Sequence, residues 1–588
     1  MRRKSFRKSG TPACLGLCFL IASTALWVQS CPTQRPAFGP EYAVIVLKSG
    51  QAVSVTKKRM KGVNIAKLEL LHRPRQALDR THPIIDQWIQ DPQIPGPRVF
   101  RVVVGIWGHP EQMPAEPYLA SFEEKLKQLG KNVKRYGFVP SFGVDLPVSA
   151  LRDESLRGDS RVRYIQPDRI PLSSELPPST AAAGGYCKAA EGYGAVLPTA
   201  NVQKISEIAA DTGLSSFFNS ATGRATLLDS GVVSSHSQLP AGKIIRTNCL
   251  TDPCESNNAT DGCLNHGSPN AGILVANGTG DEPIGLLPNY DLDSFKVIEQ
   301  QNSSGTCTPT ASVEAILRAL GDRISQGSNS ADVILIEGVI EGEPPWSCVS
   351  VAADQAFNAG FAVITPTGNL TLDVSPANAH RVLPVSRIAQ NFARTSDNRI
   401  LPALWTATSS ETTSGRGGPY CKQSGASGAA PFVAGAAAKL NRFLQSISMP
   451  ADPGSIYAVL LGLAKWESPE RQLFLTENGN LYIGSFQLDQ GGELTAEIEV
   501  GAADQQLHAA IWWPESLGTG GRELHNEVHL ELRNPSGLMA SESKDTNSVF
   551  QYVASDPSGI TGNWKLRFFG ANIASGGQLV YWAAYAGP

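Results

Sequence analysis

Apolar residues in this chain recur with different periods, and each period occupies its own stretch. A near-continuous apolar run, Ala13 to Val28, is followed by one isolated strand pattern at Ala43 to Leu47. The first sustained signal lies between 98 and 168. Val99-Phe-Arg-Val-Val-Val-Gly-Ile-Trp107 is rich in β-branched and aromatic residues and reads as a strand. Phe122, Leu126 and Leu129 recur at helical spacing over 117–129, and Gly130 is the stop. A strand over 133–146, a short helix near 148–156 and the strand Val162-Arg-Tyr-Ile165 complete this series. From 186 to 466 short, fully apolar strands alternate with amphipathic segments. Ala225 to Leu228, Leu292 to Val297, Val333 to Ile336 and Ala362 to Thr365 are the strands; Thr310 to Ile324 and Val351 to Gly360 predict helices. The last hundred residues alternate apolar and polar positions strictly, in 481–486, 494–500, 528–532, 564–569 and 579–582. Turn signals such as Asn534-Pro-Ser-Gly537 separate them.

These patterns predict three folded units. Residues 98–170 read as a small open sheet with two helices on one face, of ferredoxin-like α+β type. Residues 186–466 read as an α/β unit, a mostly parallel sheet with helices on both faces. Residues 467–588 read as an all-β sandwich. Between the first two lies a Pro/Ser/Ala/Gly-rich linker, 171–185, exposed enough to be cut. Residues 32–97 carry mixed basic and polar sequence to which no function is assigned.

Composition narrows the function classes. A formal charge of −3 over 588 residues gives no electrostatic case for nucleic acid. Arg2, Arg3, Lys4, Arg7 and Lys8 precede the apolar run, and Val28-Gln-Ser-Cys31 closes it, so residues 1–31 read as an export leader. A small residue before Cys31 resembles a bacterial lipoprotein processing site, with a lipid anchor on Cys31; an ordinary signal peptide is the alternative. Export changes the reading of Cys187, Cys249, Cys254, Cys263, Cys307, Cys348 and Cys421. In an oxidising compartment they predict as many as three disulfides, one cysteine remaining over, with connectivity open.

Three stretches carry candidate chemistry. Asp229 ends an apolar strand in Leu227-Leu-Asp-Ser-Gly-Val232. His266 stands in Asn265-His-Gly-Ser-Pro-Asn-Ala-Gly272. Ser427 heads a small-residue run, Ser424 to Leu440, at a predicted helix start whose free N–H groups favour a developing negative charge. A serine hydroxyl needs an imidazole to take its proton, and the imidazole needs a carboxylate to fix its tautomer; Asp, His, Ser is one of the chain orders in which such triads occur. Each residue also has a plainer reading: Asp229 as a turn cap, the serine helix as a packed interior. His236 competes with His266 but lacks the flanking small residues. Cys249, Cys254, Cys263 and His266 also lie close enough in sequence for a zinc knuckle, although export argues for oxidised cysteines.

Taken together, these stretches resemble the subtilisin-like serine proteases, or subtilases. Leu228-Asp-Ser-Gly-Val232 resembles the aspartate motif, with serine for threonine. His266-Gly-Ser-Pro-Asn-Ala-Gly272 resembles the histidine motif, with Pro269-Asn270 for His-Val. Gly425-Ala-Ser-Gly-Ala-Ala-Pro-Phe-Val-Ala-Gly435 resembles the serine motif, and Gly368-Asn369 the oxyanion asparagine. The resemblance covers about 186–466 and implies an endopeptidase acting on proteins or peptides. It further implies that 98–170 is an inhibitory propeptide and that 467–588 is an appended β-domain. Val333-Ile-Leu-Ile-Glu-Gly-Val339 takes the place of the substrate-pairing strand, so Glu337 and Gly338 become substrate-binding candidates. Glu337 either faces the cleft, attracting Lys or Arg before the cut, or points to solvent. No cofactor is implied. Calcium is frequent in the family, but no ligand cluster here supports it, and no metal site is assigned. A non-catalytic surface protein on the same scaffold is the alternative function.

Overall fold

The computed structural model describes residues 80–107, 114–172, 188–189, 203–256, 259–278, 282–303, 306–368, 373–388, 393–397, 399–406, 409–413, 420–467, 470–476, 478–515, 526–557, 559–573 and 577–588. The strand pattern at 43–47, the leader and most of the 171–185 linker lie outside these residues.

The first unit begins with helix α1 (Pro83–Gln90), whose start is capped by His82 Nδ1 accepting from the Ile84 N–H at 3.0 Å. Strand β1 (Val99–Ile106) and helix α2 (Glu116–Leu129) follow, then β2 (Lys131–Arg135) and β3 (Ser141–Pro147). The stretch over 133–146, readable as two strands or one long bent strand, is a hairpin, because Gly137 and Pro140 supply turn geometry inside it. Two short helices, Val148–Arg152 and Glu154–Arg157, lead to β4 (Val162–Pro167). The antiparallel sheet runs β2-β3-β1-β4. Alternation along β1 decides its two faces. Val102, Val104 and Ile106 meet Phe122 and Leu126 of α2, while Val103 turns to the central region and packs in one cluster with Ile316 and Val349. Pro171, expected to start the linker, instead ends a short strand β5 (Arg169–Pro171).

The central region is built on a ten-stranded sheet. Its strands lie in the order 255–256, 244–248, 290–296, 223–229, 333–336, 363–366, 383–387, 404–406, 470–472, 465–467. The two outermost pairings are antiparallel and every pairing between them is parallel. We label β6 (Gly223–Asp229), α3 (Gly267–Val275), β7 (Thr306–Ser312), α4 (Val313–Gln326), β8 (Val333–Ile336), β9 (Tyr420–Ser424) and α5 (Ala426–Ser446). The unbroken apolar run of β8 follows from burial on both faces. Val333 and Leu335 pack with α3, α5 and the helix Pro453–Leu463, whereas Ile334 and Ile336 pack with α4 and the helix Cys348–Asn358. Helix α4 starts three residues later than its periodicity suggested, because Ser312 caps it, its Oγ accepting from the Ala315 N–H at 3.1 Å. Residues 310–312 remain extended and pair with β5.

Beyond 479 two four-stranded antiparallel sheets share one core. One runs 480–488, 578–587, 506–512, 550–555, the other 493–500, 562–572, 527–533, 539–543. The strands at 506–512, 539–543 and 550–555 are additional to those the alternation pattern identified. Trp512, the last residue of its strand, and Trp513 just beyond it are both buried and enter different cores. Trp513 fills the core between the two sheets, while Trp512 faces Phe357 and Tyr457 of the central region. Among the described residues no helix is long and apolar enough to cross a membrane.

Candidate active site

Parallel pairing of β6 with β8 sets Ile336 beside Leu228, so the next residue on each strand, Glu337 and Asp229, emerge together at the carboxyl edge of the sheet. The Glu337 N–H donates to the Leu228 carbonyl at 2.9 Å, which fixes this register. Asp229 is fully buried.

His266 occupies the cap position of α3, and its Nδ1 lies 2.8 Å from Asp229 Oδ1. Local packing explains the small residues that follow it. A side chain on Gly267 would bring its Cβ to 2.2 Å from the Gly231 carbonyl oxygen, so only glycine lets the helix start this close to the β6 exit. Pro269 falls in the first turn, where a missing N–H breaks no helical bond. Asp261 ties the same region together. Its Oδ1 accepts from Ser230 Oγ at 2.8 Å and its Oδ2 from the Ser268 N–H at 2.9 Å, at the opening of α3. Ser230 Oγ in turn accepts from the Gly267 N–H at 2.9 Å. Among the described residues, these contacts pin the histidine helix to the aspartate strand at several points.

Ser427 lies in the first turn of α5, half-buried where its neighbours are enclosed. Gly425 caps the helix with φ 81°, a left-handed conformation that a Cβ would strain. The Ser427 N–H is among the first-turn donors that have no intrahelical acceptor, and it sits at the positive end of a 21-residue helix. Pro431, inside the helix, has no N–H to give the Ser427 carbonyl.

The electrostatics centre on His266. Burial pulls its pKa down, but the carboxylates of Asp229, Glu337 and Asp261 outweigh that and hold it at about 9. Glu337 is 2 % exposed, and among the described residues no donor forms a well-aligned hydrogen bond to either carboxylate oxygen. Burial pushes its pKa well above the usual carboxylate range, opposed by the His266 charge, strengthened by the Asp229 charge and opposed by the Ser427 hydroxyl. The alternative of a solvent-facing Glu337 is thereby overturned: the strand end that carries it is covered on both sides. Gly338 follows in a tight place, where an added Cβ would stand 3.1 Å from Val297.

Other candidates separate cleanly. Asn369 lies outside the described residues. His236 sits against the Tyr420 ring and accepts from the Gln238 N–H at 3.2 Å, in a different environment from His266. Cys249 pairs with Cys254 and Cys263 with Cys307, and Cys421 is also disulfide-bonded, while Cys348 is a buried free thiol. The zinc alternative therefore fails, since its three cysteines are oxidised to each other or to Cys307. Gln423 and Asp261 were not singled out from sequence, and Asn270 and Ser230 stood out only as departures from the family motifs, without a role. Asn270 carried one signal: it stands four residues after His266, one helical turn on and on the same face.

The family model that matches residues 225–472 is that of the subtilase family. Those residues belong to the subtilase family. Subtilisin NAT of Bacillus subtilis subsp. natto is 26% identical over 318 residues, covering 53% of this chain and 72% of the relative. Subtilisin DY of Bacillus licheniformis is 29% identical over 240 residues, 39% of this chain and 81% of the relative. A solved structure of fervidolysin from Fervidobacterium pennivorans, described as a keratinolytic enzyme related to subtilisin, aligns over 91% of this chain and 81% of its own. It has a TM-score of 0.45 and 13% identity. Residues 225–472 thus form a subtilase-type, serine-type endopeptidase domain on a parallel-rich α/β sheet.

Proposed function

We propose that this subtilase is exported and hydrolyses peptide bonds through an acyl-enzyme on Ser427. The observation that carries this reading is the buried Asp229–His266 pair, 2.8 Å apart, at the same sheet edge as Glu337, on which the Ser427 hydroxyl acts. Ser427 Oγ attacks the scissile carbonyl while His266 takes its proton; the bond to nitrogen then breaks as His266 returns that proton to the leaving amine. Water repeats the sequence on the acyl ester. Asp229 holds His266 in the required tautomer and balances its charge. The first-turn N–H of Ser427 and the side chain of Asn369, a role taken from the family pattern, hold the oxyanion.

The first unit acts as a propeptide in this reading, and two contacts support it. β5 pairs antiparallel with 310–312 directly before the stretch expected to be cut. Asp168 closes the start of α4, its carbonyl accepting from the Val313 N–H at 2.9 Å and its Oδ1 from the Glu314 N–H at 2.9 Å. The two C-terminal sheets form an appended β-sandwich, and Cys31 is a candidate lipid attachment point at the cell surface. Expression of wild type and Ser427→Ala tests site and boundary together. Wild type should lose a segment ending within 168–186, and Ser427→Ala should accumulate uncut. Equal trimming of both would assign the cut to another protease.

Glu337 and Gly338 form part of the substrate-binding edge. A buried carboxyl beside the nucleophile favours a Lys or Arg side chain before the cut, and in the empty cleft it favours protonated His266. Since hydrolysis needs neutral His266, activity should rise through the region of about 9 and the rise should move to lower pH in Glu337→Ser. Cleavage profiles of both proteins across pH check this. One shared profile and one shared pH curve would remove Glu337 from the cleft.

A further inference from the structure

The Asp229 carboxylate is enclosed, and its two oxygens are served from different elements. Oδ1 meets His266 Nδ1 at 2.8 Å and accepts from the Ser230 N–H at 2.6 Å. Oδ2 accepts from Asn270 Nδ2 at 2.9 Å, the one side-chain donor that reaches it among the described residues. Asn270 is fully buried on α3, one turn beyond His266, with Nδ2 3.5 Å from His266 Nδ1. Its own Oδ1 accepts from Gln423 Nε2 at 3.0 Å. Gln423 is 1 % exposed and belongs to β9, which reaches Gly425 and the Ser427 turn two residues later. A chain of buried polar groups therefore runs from the strand preceding Ser427, through the histidine helix, to the far oxygen of the aspartate. An aliphatic residue at 270 would pack equally well without desolvating an amide, so what the amide adds is direction.

We propose that Asn270 is a positioning residue of the hydrolytic site, that it holds the Asp229 carboxylate in the plane His266 requires, and that Gln423 orients Asn270 from the serine-bearing strand. The inference rests on the reading of Asp229, His266 and Ser427 as the triad. A carboxylate bound only at Oδ1 turns about its Cβ–Cγ bond, and the near oxygen then leaves the line of the imidazole N–H. The Asn270 donor also draws negative charge toward Oδ2. Removing it concentrates charge on Oδ1 and strengthens the hold on the imidazolium proton. Among the described residues, the ionisable groups that act on His266 are Asp229 on β6, Asp261 before α3 and Glu337 after β8. The helix that carries Asn270 contains no ionisable residue, and Lys422, next to Gln423, alternates to the other face of β9. A change at 270 thus reaches His266 through Asp229.

Asn270→Val and Asn270→Thr have nearly the same shape and differ in a hydroxyl donor. In Asn270→Val, kcat should fall on the order of tenfold with KM nearly constant, and the acid limb of kcat/KM should move to higher pH. Asn270→Thr should recover part of both. Gln423→Met should give a smaller loss of the same kind, and the double variant should be no worse than Asn270→Val, since Gln423 acts through Asn270. Thermal unfolding of each variant checks that the fold is intact; where Asn270→Val does not fold, Gln423→Met and Asn270→Thr carry the same comparison. Labelling by a serine-phosphonylating reagent separates the two levels of the argument. Wild type that labels while Ser427→Ala does not, together with an unchanged rate and pH profile in Asn270→Val, overturns the inference alone. Wild type that does not label overturns the triad reading and this inference with it.

Discussion

The parallel sheet is covered by different chemistry at its two junctions with the rest of the chain. Toward the C-terminal sheets the contact is apolar and aromatic: Trp512 lies 5.1 Å from the Phe357 ring and 5.0 Å from the Tyr457 ring, and Ala510 and Ala583 join the same core. Toward the N-terminal unit an apolar patch that includes Val103, Val139 and Ile170 is joined by buried polar groups. Arg163, 1 % exposed, donates to the Trp346 carbonyl at 2.9 Å, Gln166 Oε1 accepts from the Cys348 N–H at 2.8 Å, and Arg101 pairs with Glu314. Apolar burial favours union at every pH, whereas buried ionisable groups make union depend on protonation. The first junction has the character of a permanent core, the second of a contact that can be released. That difference is what the proposed propeptide reading calls for, with an appended domain on one side and a removable segment on the other.

The sharpest way to break this comparison is at the aromatic junction. Trp512→Ala should cost about 3–5 kcal/mol, the usual range for removing a buried tryptophan, measured by denaturant unfolding. A loss under about 1 kcal/mol would mean the two sheets are held to the central region by something other than this core.

The polar junction is tested through Glu343. It is fully buried, with no well-aligned hydrogen bond to either oxygen among the described residues, and its Oε1 lies 3.5 Å from His82 Nε2 of the first unit. Burial raises its pKa to about 8, with Tyr164 lowering it and Asp373 raising it further, while burial lowers His82 to about 4. A raised carboxyl contributes stability that is complete below its unfolded value, near 4.5, and is lost as pH rises toward about 8. The lowered histidine has the opposite sense: its contribution is complete above about 6.5 and is lost as pH falls toward about 4. In the uncut Ser427→Ala protein, Glu343→Gln should therefore flatten the decline in stability between pH 4.5 and 8, where each pH unit is worth at most about 1.4 kcal/mol. Thermal unfolding across that range checks it. An unchanged decline in Glu343→Gln would sink the idea that this junction is set to loosen with rising pH.

Much of this architecture was legible along the chain because it is local. Two-sided burial of a parallel strand writes itself as Val-Ile-Leu-Ile, and the close approach of α3 and α5 to neighbouring backbone writes itself as glycine and alanine beside His266 and Ser427. The order Asp229, His266, Ser427 and the motif around each were enough to name the family. Tertiary structure alone decided which residues meet across the sheet. Nothing in the spacing of 229, 270 and 423 says that their side chains form one hydrogen-bonded chain. Nor does it say that Glu337 is sealed in beside His266 or that His82 faces Glu343. Cysteine pairing was open for the same reason. Periodicity records which face of an element is buried, because solvent exclusion acts on each residue where it stands. Hydrogen bonds and charge interactions between distant segments depend on distances that only the folded chain sets.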